Sequence, residues 1–212
     1  MKVIDLSHPI SPGMPVYPST EPPTFVVSCT VERDGFFERK ISLYSHTGTH
    51  IDAPSHMISG ARAIDEFPAC HFIGKAYLLD ASSVKGPEID VSILKFHEPW
   101  IKRNEFLLFH TGWDRLWGDE GYFEGYPVLS EYAADWLGNF DLKGVGTDTI
   151  SLDSPDSRDF PVHKSLLRHG VILIENLAKL KSLPRAEFLF ACLPLNLKDG
   201  DGSPVRAIAV IE

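Results

Sequence analysis

The sequence predicts one α/β domain with a mostly β core, on three observations. Runs with strand character outnumber runs with helical character, and the two kinds are mixed along all 212 residues. No repeat, low-complexity tract or linker divides the chain, so residues 1–212 read as a single domain. Hydrophobic residues make up 43% of it, enough at this length to bury a sizeable core.

The first element is an extended arm over residues 1–23, with six prolines between Pro9 and Pro23. Proline fixes φ and removes a backbone donor, which excludes a helix or a central strand. Such an arm suits the wall of a pocket or a reach across to a partner subunit. Residues 24–31 are β-branched and apolar. Residues 36–45 alternate, with Ile41 and Leu43 on one face and Lys40 and Ser42 on the other; both segments read as strands. Short apolar runs at 77–80, 106–109, 171–174, 188–190 and 207–211 read as buried strands. Helices are expected at 90–96 with Asp90 as cap, at 130–137 with Ser130 as cap, and at 162–169, where Gly170 supplies a stop.

A net charge of −9 gives the chain no general attraction to nucleic acid or to an anionic membrane surface, and no Lys/Arg run offers a local one. Cys29, Cys70 and Cys192 are odd in number and form no CxxC pair. They read as buried apolar thiols in a reducing compartment rather than a disulfide framework or thiolate metal site. The first residues, MKVIDLSHPISPGMP, hold no apolar signal region, and no stretch approaches the length of a membrane span. The expected location is the cytoplasm, without nucleic-acid or membrane partners.

The chemistry concentrates in residues 45–56, SHTGTHIDAPSH, which hold His46, His50, Asp52 and His56. Imidazole and carboxylate are the usual ligands of zinc and of harder first-row divalent ions. On a strand, His46 and His50 would stand about 13 Å apart, too far to share an ion. A helical turn would bring them to roughly 5–6 Å. Gly48 lets the chain curl between them and Pro54 discourages a continuous helix, so the segment is expected to be a bent loop or single turn. Asp52 then closes on the same ion, with His56 beside it. A lone histidine is more often an ordinary residue than a ligand, but four such groups in HxxxHxDxxxH spacing make a much stronger case for metal. Glu175 ends the apolar run 171–174, where a buried charge needs a partner such as a metal. His163, at the start of a helix, reads on its own as a plain exposed side chain.

Residues 46–56, HTGTHIDAPSH, match the HxGTHxDxPxH signature at every fixed position, and in this the chain resembles the cyclase family of metal-dependent hydrolases, which includes the bacterial kynurenine formamidases. The resemblance extends to Asp5-Leu6-Ser7-His8-Pro9-Ile10, Thr111-Gly112-Trp113, Gly146-Thr147-Asp148-Thr149 with Ser151 and Asp153, Val162-His163-Lys164, Leu166-Leu167, Gly170 and Glu175-Asn176-Leu177. It implies a swivelling β/β/α fold and a homodimer or higher homo-oligomer. It implies that His46, His50 and Asp52 bind the metal directly, with further ligands at His163 and Glu175. In members with two ions, Asp52 and Glu175 would bridge the pair and His163 would belong to the second. His56 matches the catalytic acid/base. Kynurenine formamidases carry Trp in the arm segment that here reads Met14-Pro15-Val16-Tyr17-Pro18; Tyr17 departs from that pattern and is the candidate ring for stacking on a substrate. Phe36 and Phe37 are further candidates for apolar pocket walls, each with a core reading beside it.

The expected activity is hydrolysis of an amide-type C–N bond in a small molecule, an N-formyl aromatic amine or a cyclic amide, by water that a divalent metal activates. His56 moves the protons. One or two ions per chain are expected, zinc or manganese first. A metal-dependent dehydratase or cyclising lyase on the same scaffold is the alternative, followed by a non-catalytic metal- or ligand-binding protein. A Ser-His-Asp hydrolase is disfavoured because no G-x-S-x-G elbow exists and Ser55 lies inside the metal signature. Thr111, Gly112, Trp113 and Asp148 read as structural or as support for the ligands.

Overall fold

The computed structural model describes residues 1–84 and 86–211. Strands in chain order are β1 (Lys2–Asp5), β2 (Thr24–Cys29), β3 (Glu38–Ser42), β4 (His50–Asp52), β5 (Ile73–Asp80), β6 (Glu88–Ile89) and β7 (Phe106–His110). They continue with β8 (Val128–Leu129), β9 (Gly144–Thr147), β10 (Ile172–Glu175), β11 (Glu187–Ala191), β12 (Gly202–Pro204) and β13 (Ile208–Ile211). The helices are α1 (Val31–Asp34), α2 (Val91–Phe96), α3 (Glu98–Ile101), α4 (Glu131–Leu137) and α5 (Pro161–Arg168), with short 3-10 turns between elements.

Nine strands form one mixed sheet in the order β1-β13-β11-β5-β7-β9-β10-β4-β12. The centre, β5-β7-β9-β10, is parallel, and both flanks are antiparallel. Both faces of the centre are buried, which is why β7 and β10 are continuous apolar runs rather than alternating ones. Leu107, Phe109, Val145 and Leu173 point to the side where α2, α4 and α5 contribute Leu94, Ala133, Leu137, Val162 and Leu166. Phe106, Leu108, Ile172 and Ile174 point to the opposite side, with Ile51, Phe188 and Phe190.

The expected helices are present with their caps. Asp90 accepts from the Ser92 amide at 2.9 Å and Ser130 from the Ala133 amide at 3.2 Å. Gly170 follows α5 with φ +77°, in the left-handed region. The arm from Pro9 to Pro23 contains neither helix nor strand, while β1 ahead of it pairs with β13.

Three expectations are corrected. The segments at 24–31 and 36–45 pair with each other as a separate two-stranded hairpin and stay out of the core; Val31 already belongs to α1. Val26, Val27, Phe36, Phe37 and Ile41 are all at least half exposed, so the two Phe rings are neither core nor pocket wall. Among the cysteines only Cys192 is buried; Cys29 is partly exposed and Cys70 is exposed.

Candidate metal centre

The site lies at the β10-β4-β12 end of the sheet. β4 is a strand, where the sequence suggested a loop or turn through the motif. The alternation of a strand puts His50 and Asp52, two apart, on one face. The bend falls just before it, where Gly48 takes φ +66° and returns His46 to within 5.2 Å of the His50 ring. Register does the rest: Glu175 on β10 pairs directly with His50 on β4. His163 arrives from the first turn of α5. It is 3% exposed, against the exposed side chain expected of a lone histidine there, because Asp153 captures it. The Asp153 carboxylate accepts from the backbone amides of Val162 and His163, both at 3.0 Å, and from His163 Nδ1 at 2.6 Å. One acid thus caps the helix and fixes the ring.

The protons of these histidines are assigned by their outer partners. His50 Nδ1 donates to the Gly48 carbonyl at 2.8 Å and His163 Nδ1 donates to Asp153, which leaves both Nε2 atoms pointing inward with lone pairs. His50 Nε2 lies 3.2 Å from Asp52 Oδ1 and 3.6 Å from Glu175 Oε2. His163 Nε2 lies 3.4 Å from Asp52 Oδ2 and 3.2 Å from Glu175 Oε1. Among the described residues, buried Glu175 Oε1 has no hydrogen-bond partner. His46 Nδ1 stands 2.6 Å from Asp52 Oδ1.

Lone pairs facing lone pairs at these distances, with a buried orphaned oxygen among them, fit a cation. His50, Asp52 and Glu175 offer ligand atoms within 4.8 Å of one another, and so do His46, Asp52 and His56. The set is nitrogen and oxygen without thiolate, suited to zinc and to harder first-row divalent ions.

The electrostatics agree. Burial disfavours a charged Asp52, but His163, His46 and His50 outweigh it and hold the acid well below the usual carboxylate range. Burial and repulsion from Asp52 raise the pKa of Glu175. Burial opposes charge on His163, yet Asp153, Asp52 and Glu175 together push its pKa well up. For His46, burial is overcome by Asp52 and Asp201, and its pKa rises to about 9. Proton and cation therefore compete for the same acidic centre.

His56 follows in the 3-10 turn Pro54–His56, with its ring 3.9 Å from that of His46 and Nδ1 3.7 Å from Asp201 Oδ2. Burial lowers its pKa; Asp52 opposes this, while His46 and His163 add to it. A cavity of about 680 Å³ opens over these groups, lined also by Pro15, Tyr17 and Thr20 of the arm, Met57, Ile150, Phe160 and Lys164. Tyr17, 43% exposed, thus reaches the cavity.

Asp153, Asn176 and Asp201 had no assigned role in the sequence. Asn176 donates to the Gly48 carbonyl at 2.9 Å and holds the bend of the motif; Asp201 meets His46 Nε2 at 3.0 Å. Asp153 and Asn176 sit in segments that carried the resemblance. Asp201, in a DGDG turn, gave no signal beyond that of a loop. Asp148 accepts from Thr111 Oγ1 and from the Thr111 and Gly112 amides, tying β7 to β9 below the site.

The family model described as "Putative cyclase" matches residues 4–154. A kynurenine formamidase from Bacillus cytotoxicus is 30% identical over 207 residues, which cover 97% of this chain and 95% of that one. An isatin hydrolase solved with the product analogue thioisatinate superposes with a TM-score of 0.88 at 25% identity, over 99% of this chain and 92% of that one. A structure described as a "potential metal-dependent hydrolase with cyclase activity" gives 0.82 at 30% identity, over 98% and 96%. Similarity over nearly the full length, on the same mixed-sheet fold, joins the HxGTHxDxPxH segment to the later strand and helix that bring Glu175 and His163: the chain belongs to the cyclase family.

Proposed function

We propose that the protein is a metal-dependent hydrolase of an amide-type C–N bond, with an N-formyl aromatic amine or a cyclic amide as substrate. The observation that carries this reading is the convergence of the inward Nε2 atoms of His50 and His163 on Asp52 and Glu175, beneath a cavity that His56 also lines. His46, His50, Asp52, His163 and Glu175 would hold one or two divalent ions, zinc or manganese. Such an ion, when bound, makes water acidic near neutral pH and stabilises negative charge on a carbonyl oxygen. His56 stands outside that cluster of inward lone pairs. From beside His46 on the cavity wall it takes a proton from the attacking water and returns it to the departing nitrogen. Tyr17 and Phe160 give the cavity aromatic walls for a flat substrate. The relatives support both substrates: one is a formamidase, the other an isatin hydrolase.

The same reading includes a homodimer or higher homo-oligomer. A lone two-stranded hairpin is marginal in water, and this one bares Val26, Val27 and Ile41. A second copy covering it accounts for both. No helix among the described residues is long and apolar enough to cross a membrane, and the free thiols suit a cytoplasmic location.

The test is metal content of the purified protein together with hydrolysis of N-formylkynurenine and of isatin, before and after chelation, in heavy-oxygen water. Metal near stoichiometric, activity lost to chelator, and solvent oxygen in the new acid are expected. A product without solvent oxygen would move the chemistry to elimination, and absence of metal under every loading condition would end the reading. Light scattering tests the oligomer, which a monomeric mass refutes.

A further inference from the structure

We infer that Asp201 is a positioning residue for the metal centre: it takes the Nε2 proton of His46 and so leaves Nδ1 to bind the ion. This rests on the metal-dependent reading above. A neutral imidazole has one N–H and one lone pair, and the partner of one nitrogen decides which is which. For His50 and His163 the outer acceptors, the Gly48 carbonyl and Asp153, hold the proton on Nδ1, and Nε2 points inward. His46 is turned the other way round. Its Nδ1 lies 2.6 Å from Asp52 Oδ1, on the side of the shared carboxylate, while its Nε2 lies 3.0 Å from Asp201 Oδ2. Asp201 is the acceptor that completes the pattern for the third ring.

The backbone holds it there. The Ala53 amide donates to the Asp201 carbonyl at 2.9 Å, and the next residue, Gly202, pairs with Asp52 across β12 and β4. Gly202 must remain bare, since a Cβ there would lie 2.5 Å from His46 Cε1 and 2.9 Å from His46 Nε2. The last strand of the site is shaped to the edge of the His46 ring, with the acid next to it. The same Oδ2 is 3.7 Å from His56 Nδ1, beyond hydrogen-bond distance, so the primary partner is His46.

The experiment measures zinc affinity of the full-length protein by competition with a chromogenic chelator, for wild type, Asp201→Ala and Asp201→Asn. Nitrogen chemical shifts of the His46 ring in the zinc-loaded protein are recorded alongside. Loss of such an outer carboxylate costs roughly 10–100-fold in metal affinity, expected for Asp201→Ala. Asp201→Asn keeps an acceptor oxygen for Nε2–H and should recover most of that loss. The shifts should show a protonated Nε2 and a metal-bound Nδ1 on His46. Unchanged affinity in Asp201→Ala with only turnover reduced would assign the acid to His56 and overturn the inference, as would a metal-bound Nε2. A wild type that takes up no zinc would overturn it together with the metal-dependent reading, whereas the other two results leave that reading standing.

Discussion

Asp153→Ala should damage both the fold and the metal centre, by amounts that can be worked from its contacts. The carboxylate accepts three hydrogen bonds, from the Val162 and His163 amides and from His163 Nδ1, and the residue is 2% exposed. Removing a helix N-cap costs about 1 kcal/mol. Leaving a buried donor without an acceptor costs about 1–3 kcal/mol, and two donors beyond the cap lose theirs here. The sum is roughly 3–7 kcal/mol, brought toward its lower end where water enters the space left by the side chain. For a chain of this size each kcal/mol lowers Tm by about 2–4 °C, so a fall of roughly 10 °C is expected.

The assay is thermal unfolding of the metal-free protein in excess chelator, so that ion binding does not add to the stability. Asp153→Asn keeps one acceptor oxygen but sets an amide NH₂ against the remaining donors, and should fall between wild type and Asp153→Ala. A Tm for Asp153→Ala within about 2 °C of wild type, less than 1 kcal/mol on the same scale, would refute the reasoning. It would mean that α5 and His163 hold their places without this acid.

His56→Ala should keep its metal while kcat falls by roughly 10²–10⁴-fold, the usual contribution of general acid–base catalysis; near-normal kcat in the metal-replete variant would remove His56 from that role. Among the described residues, Lys164 is the one Lys or Arg lining the cavity, so Lys164→Met should raise KM about 2–5-fold for a substrate bearing a carboxylate and leave a neutral formanilide unaffected. Equal effects on both substrates would show that the charge is not being used. His8, stacked on Trp117 at 3.9 Å, has a pKa lowered to about 4, chiefly by burial and partly opposed by Asp114. The unfolded chain takes up this proton near pH 6.5 and the folded chain only near pH 4, so the stability from a neutral His8 is full above pH 6.5 and drains away as pH falls toward 4. Discounted for partial exposure, the loss is on the order of 1–2 kcal/mol. Urea midpoints between pH 7.5 and 4.5 should fall less steeply in His8→Phe than in wild type; parallel curves would discount His8.

The elements that could be read from the sequence are those whose pattern is local. β7, β10 and β11 are compact apolar runs, and α2 and α4 carry their own caps in Asp90 and Ser130. The strands that escaped are made by their neighbours. β9, GVGT, has poor intrinsic strand preference and forms between β7 and β10, where any Cβ at Gly146 would come within 2.6 Å of Leu108. β12, GSP, is three residues long and ends in proline, which its place at the sheet edge permits. The hairpin β2–β3 shows the converse: strand character was plain in its residues, but nothing local said that it would lie outside the core. In the site, His46, His50, Asp52 and His56 fall within eleven residues and declare themselves by spacing. His163 and Glu175 needed the resemblance, because a helix start and a strand end come together only through the fold. Asp201 acts on His46 across 155 residues, a separation that no motif encodes.

The places where sequence rules failed coincide with the places where the fold breaks ordinary packing rules, and the two have one cause. Two carboxylates, Asp52 and Glu175, are buried side by side although each raises the cost of ionising the other. Glu175 Oε1 has no hydrogen-bond donor among the described residues. Just past it, Asn176 adopts a left-handed φ of +56°, tolerable for Asn, and from there pins the Gly48 bend. None of this improves a core; a hydrophobic packing of the same volume would avoid the desolvation cost. The outer acceptors explain why it persists. Gly48, Asp153 and Asp201 each take one histidine proton on the outer side, and what remains at the centre is an array of inward nitrogens and carboxylate oxygens where a proton and a cation compete. Such an array is destabilising until something positive enters it, so the arrangement that weakens the empty fold is the one that gives a divalent cation its affinity.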